Sequence, residues 1–166
     1  WGQVIVVLIA LGGGAGSDGW KFVAGEVQYD GDPWDILLTR GNRIQSALPL
    51  AAIPTLPATG SEMNGTSVIT RTEFSAKRVF KSEHVFPVLA VLDPTLTFTL
   101  PPRQIANGII DAFVHVLEQY LTYPVDAPVQ DRFAEGLLRV LLDIADTTIA
   151  EPENYEARAS LMWAAN

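Results

Sequence analysis

Asp111 and His115 stand four positions apart in the apolar segment "NGIIDAFVHVLEQY", residues 107–120. On a helix that spacing stacks them one turn apart on the same face. A carboxylate and an imidazole offered together are a common way to present two ligands to one divalent ion. Advancing about 100° per residue from Asp111, the residues Gln104, Asn107, His115, Glu118 and Thr122 all fall within about 40° of its direction. The rest of the circumference is largely apolar. Such a stripe reads either as a solvent-facing strip or as a metal site. A wet helix face usually carries Lys or Arg, and this one carries neither. The pair supplies two ligands, which is less than a complete site. The other histidine, His84 in "KSEHVFP", reads as a surface or loop residue that nothing in the sequence brings to the helix.

A second chemical signal is "LGGGAGSDGWKF", residues 11–22, which follows a Val/Ile/Leu run and opens a helix. Glycines there let the backbone approach a ligand, and the free N–H groups of a first helical turn favour an anion. Gly14 to Gly19 also matches G-x-G-x-x-G, the fingerprint of an ordinary dinucleotide-binding βαβ unit. That unit needs a strand soon after its helix. Here "QYDGDPWD" reads as a loop with no clear strand behind it. Phosphate contact by a different geometry is favoured over the literal match, and a tightly packed glycine turn is the alternative. The loop "TLPATGSEMN", residues 55–64, adds Thr55, Thr59, Ser61 and Asn64 directly after a second apolar run. Ligands of open α/β sheets gather outside the carboxyl ends of strands, so the two loops suggest one cleft for a polar cofactor.

The elements that would position these residues change character along the chain. Val4–Leu11 reads as a strand buried on both faces, followed by a helix from about Ser17 to Val27. "ALPLAAIPT", residues 47–55, and "FPVLAVLD", residues 86–93, read as further buried strands, with "SVITRT" and "AKRVFK" as a strand pair between them. Pro101-Pro102 then opens a helix over Arg103–Thr122. "VDAPVQDRFAEGLLRVLLDIADTTIA" makes a second helix and "PENYEARASLMWAAN" starts a third. The expected organisation is therefore an α/β part over residues 1–100, with a mostly parallel sheet, and the first helices of an all-helical part over 101–166.

Composition narrows the function classes. The 166 residues carry a net charge of −8 and no Lys/Arg cluster, so no nucleic-acid partner is expected. The absence of cysteine excludes a disulfide scaffold, a Cys-ligated zinc and thiol catalysis. The opening "WGQVIVVLIALGGG" lacks a positive n-region and falls far short of the ~20 residues needed to cross a bilayer. No membrane partner is expected, and a cytoplasmic location is. Mean hydropathy of +0.20 is high for a self-contained soluble domain. The first residue sits almost on an apolar strand, and the last helix reaches Asn166 without a clear stop, so the chain reads as a middle piece of a longer protein.

Together these stretches resemble the iron-containing (group III) alcohol dehydrogenases, nearest the NADPH-dependent butanol dehydrogenase and aldehyde reductase branch. The resemblance rests on "LGGG…SDGWKF", "DPWDIL", "TLPATGSEMN", "PVLAVLDPTLTFTLPPRQIANGIIDAFVHVLEQYLTYPVDA" and "VQDRFAEGLL", and covers nearly the whole chain. It implies a dehydroquinate synthase-like architecture, with an α/β domain binding NADP or NAD and an all-helical domain holding one divalent metal, iron or zinc. By the same resemblance Asp111 and His115 are two of the metal ligands. Gly13, Gly14 and Asp18 belong to the pyrophosphate-binding turn. Thr55, Thr59, Asn64 and Lys77 are cofactor contacts, and Leu96 and Thr99 lie on the segment lining the nicotinamide side. The implied chemistry is hydride transfer between the nicotinamide and a small alcohol or aldehyde, in a homodimer. Ala15 departs from the serine that usually follows the three glycines, and the lost hydroxyl would weaken one pyrophosphate contact. The family's first βα units would precede Trp1, and its two further histidine ligands would follow Asn166; His84 matches neither. The 166-residue chain by itself is therefore expected to be inactive, a binding module with part of each site.

Overall fold

The computed structural model describes residues 6–122 and 124–166. The chain forms two compact units. One holds the described residues up to Pro54 together with Ser61–Val91, and the other holds Thr55–Gly60 together with Leu92–Asn166.

In the first unit, β1 (Leu8–Gly12) leads into α1 (Gly14–Glu26) and a short α2 (Trp34–Leu38). Then come β2 (Leu50–Pro54), a 3₁₀ turn at Ser61–Met63, β3 (Thr66–Arg71), β4 (Ala76–Lys81) and β5 (Leu89–Ala90). The strands β1, β2 and β5 make a parallel sheet with β2 in the centre, and β3 and β4 pair as an antiparallel hairpin. The central strand is buried over most of its length, as a Val/Ile/Leu/Ala run in a parallel sheet should be. Below the hairpin lies a core of Ile36, Leu37, Ile44, Phe80 and Val85.

Three expectations need correction. The β1 strand is not buried on both faces: Ala10 is fully buried, but Ile9 and Leu11 are 58% and 61% exposed. Successive side chains alternate across a strand, and only one face of β1 is covered. Residues 4 and 5 of the expected strand lie outside the described residues. The run at 86–93 forms only the two-residue β5, extended by Val88 and Val91 N–H bonds to the carbonyls of Leu50 and Ala52. Val88 and Leu89 are exposed, so it too lacks a second cover. Finally, α1 starts at Gly14 instead of Ser17. Gly12 makes the turn at φ +151°, a conformation that residues with a Cβ rarely adopt, and the helix begins almost at once.

The second unit is helical. After a 3₁₀ turn at Pro94–Thr97 come α3 (Pro102–Thr122), α4 (Pro128–Ala150) and α5 (Tyr155–Ala164). Asp93 caps the turn by accepting from the Thr95 N–H, and Asn154 caps α5 by accepting from the Ala157 N–H. Ile105, Ile109 and Ala112 lie at helical spacing on α3 and pack into a core with Leu141, Leu161 and Ala164. Each fully buried Ile or Leu there contributes about 1.5–3 kcal/mol. Among the described residues no helix is long and apolar enough to cross a membrane.

Candidate functional site

Gly13 is the N-cap of α1 and Gly14 its first residue, and no side chain caps the amides of the first turn. The first turn therefore keeps the anion-binding character that glycine and the helix dipole confer. One turn further, Asp18 is engaged on both carboxylate oxygens. Ser61 Oγ donates to Oδ1 at 2.7 Å, and the Val68 N–H donates to Oδ2 at 3.0 Å. The Asp18 carbonyl accepts from the Ser67 hydroxyl at 2.8 Å. Asp18 thus fastens the glycine turn to Ser61 and to the start of β3 at Ser67 and Val68.

Lys21 completes this arrangement, and the sequence reading gave it no role. Its side chain is fully buried. The ammonium donates to Ser61 Oγ at 2.9 Å, Asn64 Oδ1 at 3.0 Å and the Thr66 carbonyl at 2.8 Å, which uses all three of its protons. Asp18 Oδ1 lies 4.0 Å away. Burial pulls the Lys21 pKa down to about 8, against the opposing pull of the Asp18 and Glu62 carboxylates. Asn64 Oδ1 also accepts the Thr66 N–H at 2.9 Å, so two donors fix the orientation of its amide. A signal for Lys21 was present in the sequence. Ser17, Lys21, Ala24 and Gly25 form the buried line of α1, and three of the four are small.

The structure thus joins Asp18 and Asn64 with Lys21 and Ser61 in the first unit, one turn from Gly13 and Gly14. Lys77 sits opposite Thr70 on the hairpin, exposed. Thr55 and Thr59 belong to the second unit, as do Leu96 and Thr99; Thr59, Leu96 and Thr99 are exposed.

In that second unit the 55–60 segment rests directly on α3. A Cβ at Gly108 would lie 2.7 Å from the Pro57 carbonyl oxygen, so glycine is what permits the contact. One turn along, Asp111 opens onto a cavity of about 380 Å³ lined by Leu56, Ala58, Asn107, Ile110 and Val114. His115 Nε2 stands 3.7 Å from Asp111 Oδ1, and both side chains are about half exposed. The polar stripe lies on the open side of α3, and neighbouring Ile110 and Val114 are apolar and exposed at 62% and 50%. The separation lets both groups touch one ion, and a carboxylate with an imidazole suits iron or zinc. The residues fit half of a tetrahedral set. Among the described residues no group of three or more His, Asp or Glu could hold a metal.

Residues 3–94 match the family model for iron-containing alcohol dehydrogenase, and residues 105–166 match the C-terminal model of the Fe-containing alcohol dehydrogenase family. The chain belongs to the iron-containing alcohol dehydrogenase family. It is 54% identical over 165 residues to the NADPH-dependent aldehyde reductase YqhD of Escherichia coli, covering 98% of this chain and 43% of that protein. It is 41% identical to the NADH-dependent butanol dehydrogenase B of Clostridium acetobutylicum, covering 98% of this chain and 41% of that protein. The crystal structure of E. coli YqhD superposes with a TM-score of 0.93 at 55% identity, over 96% of this chain and 41% of that one. NADH-dependent butanol dehydrogenase A of Thermotoga maritima superposes with a TM-score of 0.90 at 36% identity, over 96% and 39%. The chain thus spans less than half the length of these relatives. The fold is that of the group III alcohol dehydrogenases, in part: a mostly parallel sheet followed by helices.

Proposed function

We propose that the protein to which this chain contributes is a metal-dependent oxidoreductase that interconverts alcohols and aldehydes, with hydride passing to or from NADP(H) or NAD(H). The observation that carries this reading is the Asp111–His115 pair, 3.7 Å apart at the edge of an apolar cavity in a family named for its iron. Asp111 and His115 would hold the ion, iron or zinc, from one face of α3. Bound there, such an ion supplies a Lewis acid for an aldehyde oxygen.

The chain's own residues have separable tasks. Gly13 and Gly14 offer close-approaching backbone and free first-turn amides to the cofactor diphosphate. Asp18 holds that turn, and Asn64 and Lys77 add polar contacts from the same unit. Thr55 and Thr59 are further cofactor contacts, and Leu96 and Thr99 serve the nicotinamide side. The apolar walls around Asp111 suit the carbon chain of a small alcohol or aldehyde. A homodimer and a cytoplasmic location accompany this reading on the strength of the family alone.

The test is aldehyde-dependent NADPH or NADH oxidation by the full-length protein, abolished by a chelator and by Asp111→Ala. Activity indifferent to both would sink the reading. The alternative, that the 166-residue chain is inactive by itself, is favoured by its two-ligand set. Robust turnover by a chain of verified 18.0 kDa mass would refute that alternative.

A further inference from the structure

Lys21 has no place in the tasks above, yet its buried side chain makes three hydrogen bonds. Burying an ammonium costs several kcal/mol unless its protons are satisfied. Here each proton has an acceptor, and the three acceptors come from one stretch of chain, Ser61 to Thr66, 40 to 45 residues away in sequence. Ser61 Oγ accepts from Lys21 and its hydroxyl donates to Asp18 Oδ1, so the lysine and the aspartate grip the same hydroxyl. Asn64, one of the proposed cofactor contacts, is held by the same ammonium.

We propose that Lys21 is a positioning residue for the dinucleotide: its buried ammonium clamps α1, with the glycine turn at its head, to the Ser61–Thr66 segment, so that Gly13, Gly14 and Asn64 are presented to the cofactor as one rigid edge. The inference rests on the dinucleotide-binding reading and adds to it a residue that acts through Asp18, Ser61 and Asn64 without touching the cofactor.

The clamp depends on a proton. A neutral amine has two N–H groups and a lone pair, so on deprotonation one of the three acceptors loses its donor and faces the lone pair instead. The charged groups acting on the ammonium are Asp18 on its own helix and Glu62 on the adjoining 3₁₀ turn. From β3 it meets the Thr66 carbonyl, an uncharged acceptor. Lys21 is the member of this cluster whose proton burial loosens. Burial brings its loss down to about pH 8.

If only the protonated clamp presents the edge correctly, the apparent dissociation constant is the intrinsic one divided by the protonated fraction. One pH unit above the midpoint that fraction is about a tenth, so dinucleotide binding should weaken about tenfold between pH 7 and 9. The experiment titrates NADPH and NADH into the full-length protein, following nicotinamide fluorescence from pH 7 to 9.5, for the wild type and Lys21→Met. The expected result is a wild-type affinity that falls through pH 8 and a variant that binds weakly at every pH with no such fall. A folded Lys21→Met protein matching the wild type at pH 7, or a wild-type affinity flat across the range, overturns the proposal. Should the variant not fold, the wild type alone decides through carbon-13 NMR of the Lys21 side chain. Coupling is reciprocal, so saturating NADPH must raise the Lys21 midpoint. Binding with an unmoved midpoint overturns the clamp and leaves the dinucleotide reading standing. No binding of either dinucleotide at any pH overturns that reading and the clamp with it.

Discussion

Replacing Gly108 with alanine tests whether the seat of the 55–60 segment on α3 matters for chemistry. The new methyl would sit 2.7 Å from the Pro57 carbonyl oxygen, 0.7 Å short of the 3.4 Å at which ordinary contact begins. The obstacle is backbone, so no rotamer change relieves it; the segment or the helix must move by most of that distance. Overpacking of this kind costs about 1–3 kcal/mol. Alanine's better helix propensity returns up to about 1 kcal/mol. The net loss of stability is therefore expected at about 0–3 kcal/mol, small enough for the variant to fold. The functional effect should be larger than the stability effect. Thr55 and Thr59 ride on the displaced segment while Asp111 and His115 remain on the helix, and misplacement by about 1 Å can cost about 100-fold in rate. Steady-state kinetics of the full-length Gly108→Ala protein should show kcat reduced about tenfold to 100-fold, with metal content unchanged. Gly136→Ala on α4 is the matched control, because nothing lies within 4 Å of its Cβ position. It should keep kcat and stabilise by up to about 1 kcal/mol. A Gly108→Ala enzyme with wild-type kcat would refute the reasoning.

Other outcomes follow from the same structure. His115→Ala or Asp111→Ala in the full-length protein should lower bound iron or zinc, read by elemental analysis, while leaving NADPH binding within a few-fold; unchanged metal content would remove both residues from the ligand set. Lys21 also predicts a pH dependence of stability. Its folded pKa, about 8, lies below the value of 10.5 that it has when exposed, so between these limits the unfolded chain binds the extra proton. Unfolding free energy should therefore rise with pH across that window, by at most about 1.4 kcal/mol per unit, and Lys21→Met should abolish the rise. Denaturant titrations at pH 8 and 10 that give the two proteins equal slopes would contradict this. Arg158 is fully buried, and both terminal nitrogens lack a partner among the described residues, leaving only the Nε bond to the Pro152 carbonyl. Burial lowers its pKa, and unpaired polar groups cost about 1–3 kcal/mol, so Arg158→Met should stabilise the 166-residue chain by about that amount. A lower melting temperature for that variant would count against the accounting.

Much of the helical part was legible because helix geometry is local. The spacing of Asp111 and His115, the apolar line through Ile105, Ile109 and Ala112, and the prolines opening α3 and α4 all act within a turn or two of chain. The β3–β4 hairpin was legible for the same reason. The exposure of Ile9, Leu11, Val88 and Leu89 was not, because an apolar run states what a strand could bury and not what is present to bury it. The start of α1 was missed because glycine has poor helix propensity, which the geometry of the turn overrides.

The sequence by itself determined the family, the two-part order of strands before helices, and which residue types could hold a metal or a phosphate. Those properties follow from side-chain chemistry and from periodicity along the chain. Only the tertiary structure decided that Lys21 is buried and bound to oxygens 40 to 45 residues away. The same holds for the closure of both Asp18 oxygens, and for the seat of Pro57 on Gly108 beside Asp111. Each of these is a contact between segments distant in sequence, and its energy depends on desolvation and close approach, which no local pattern records.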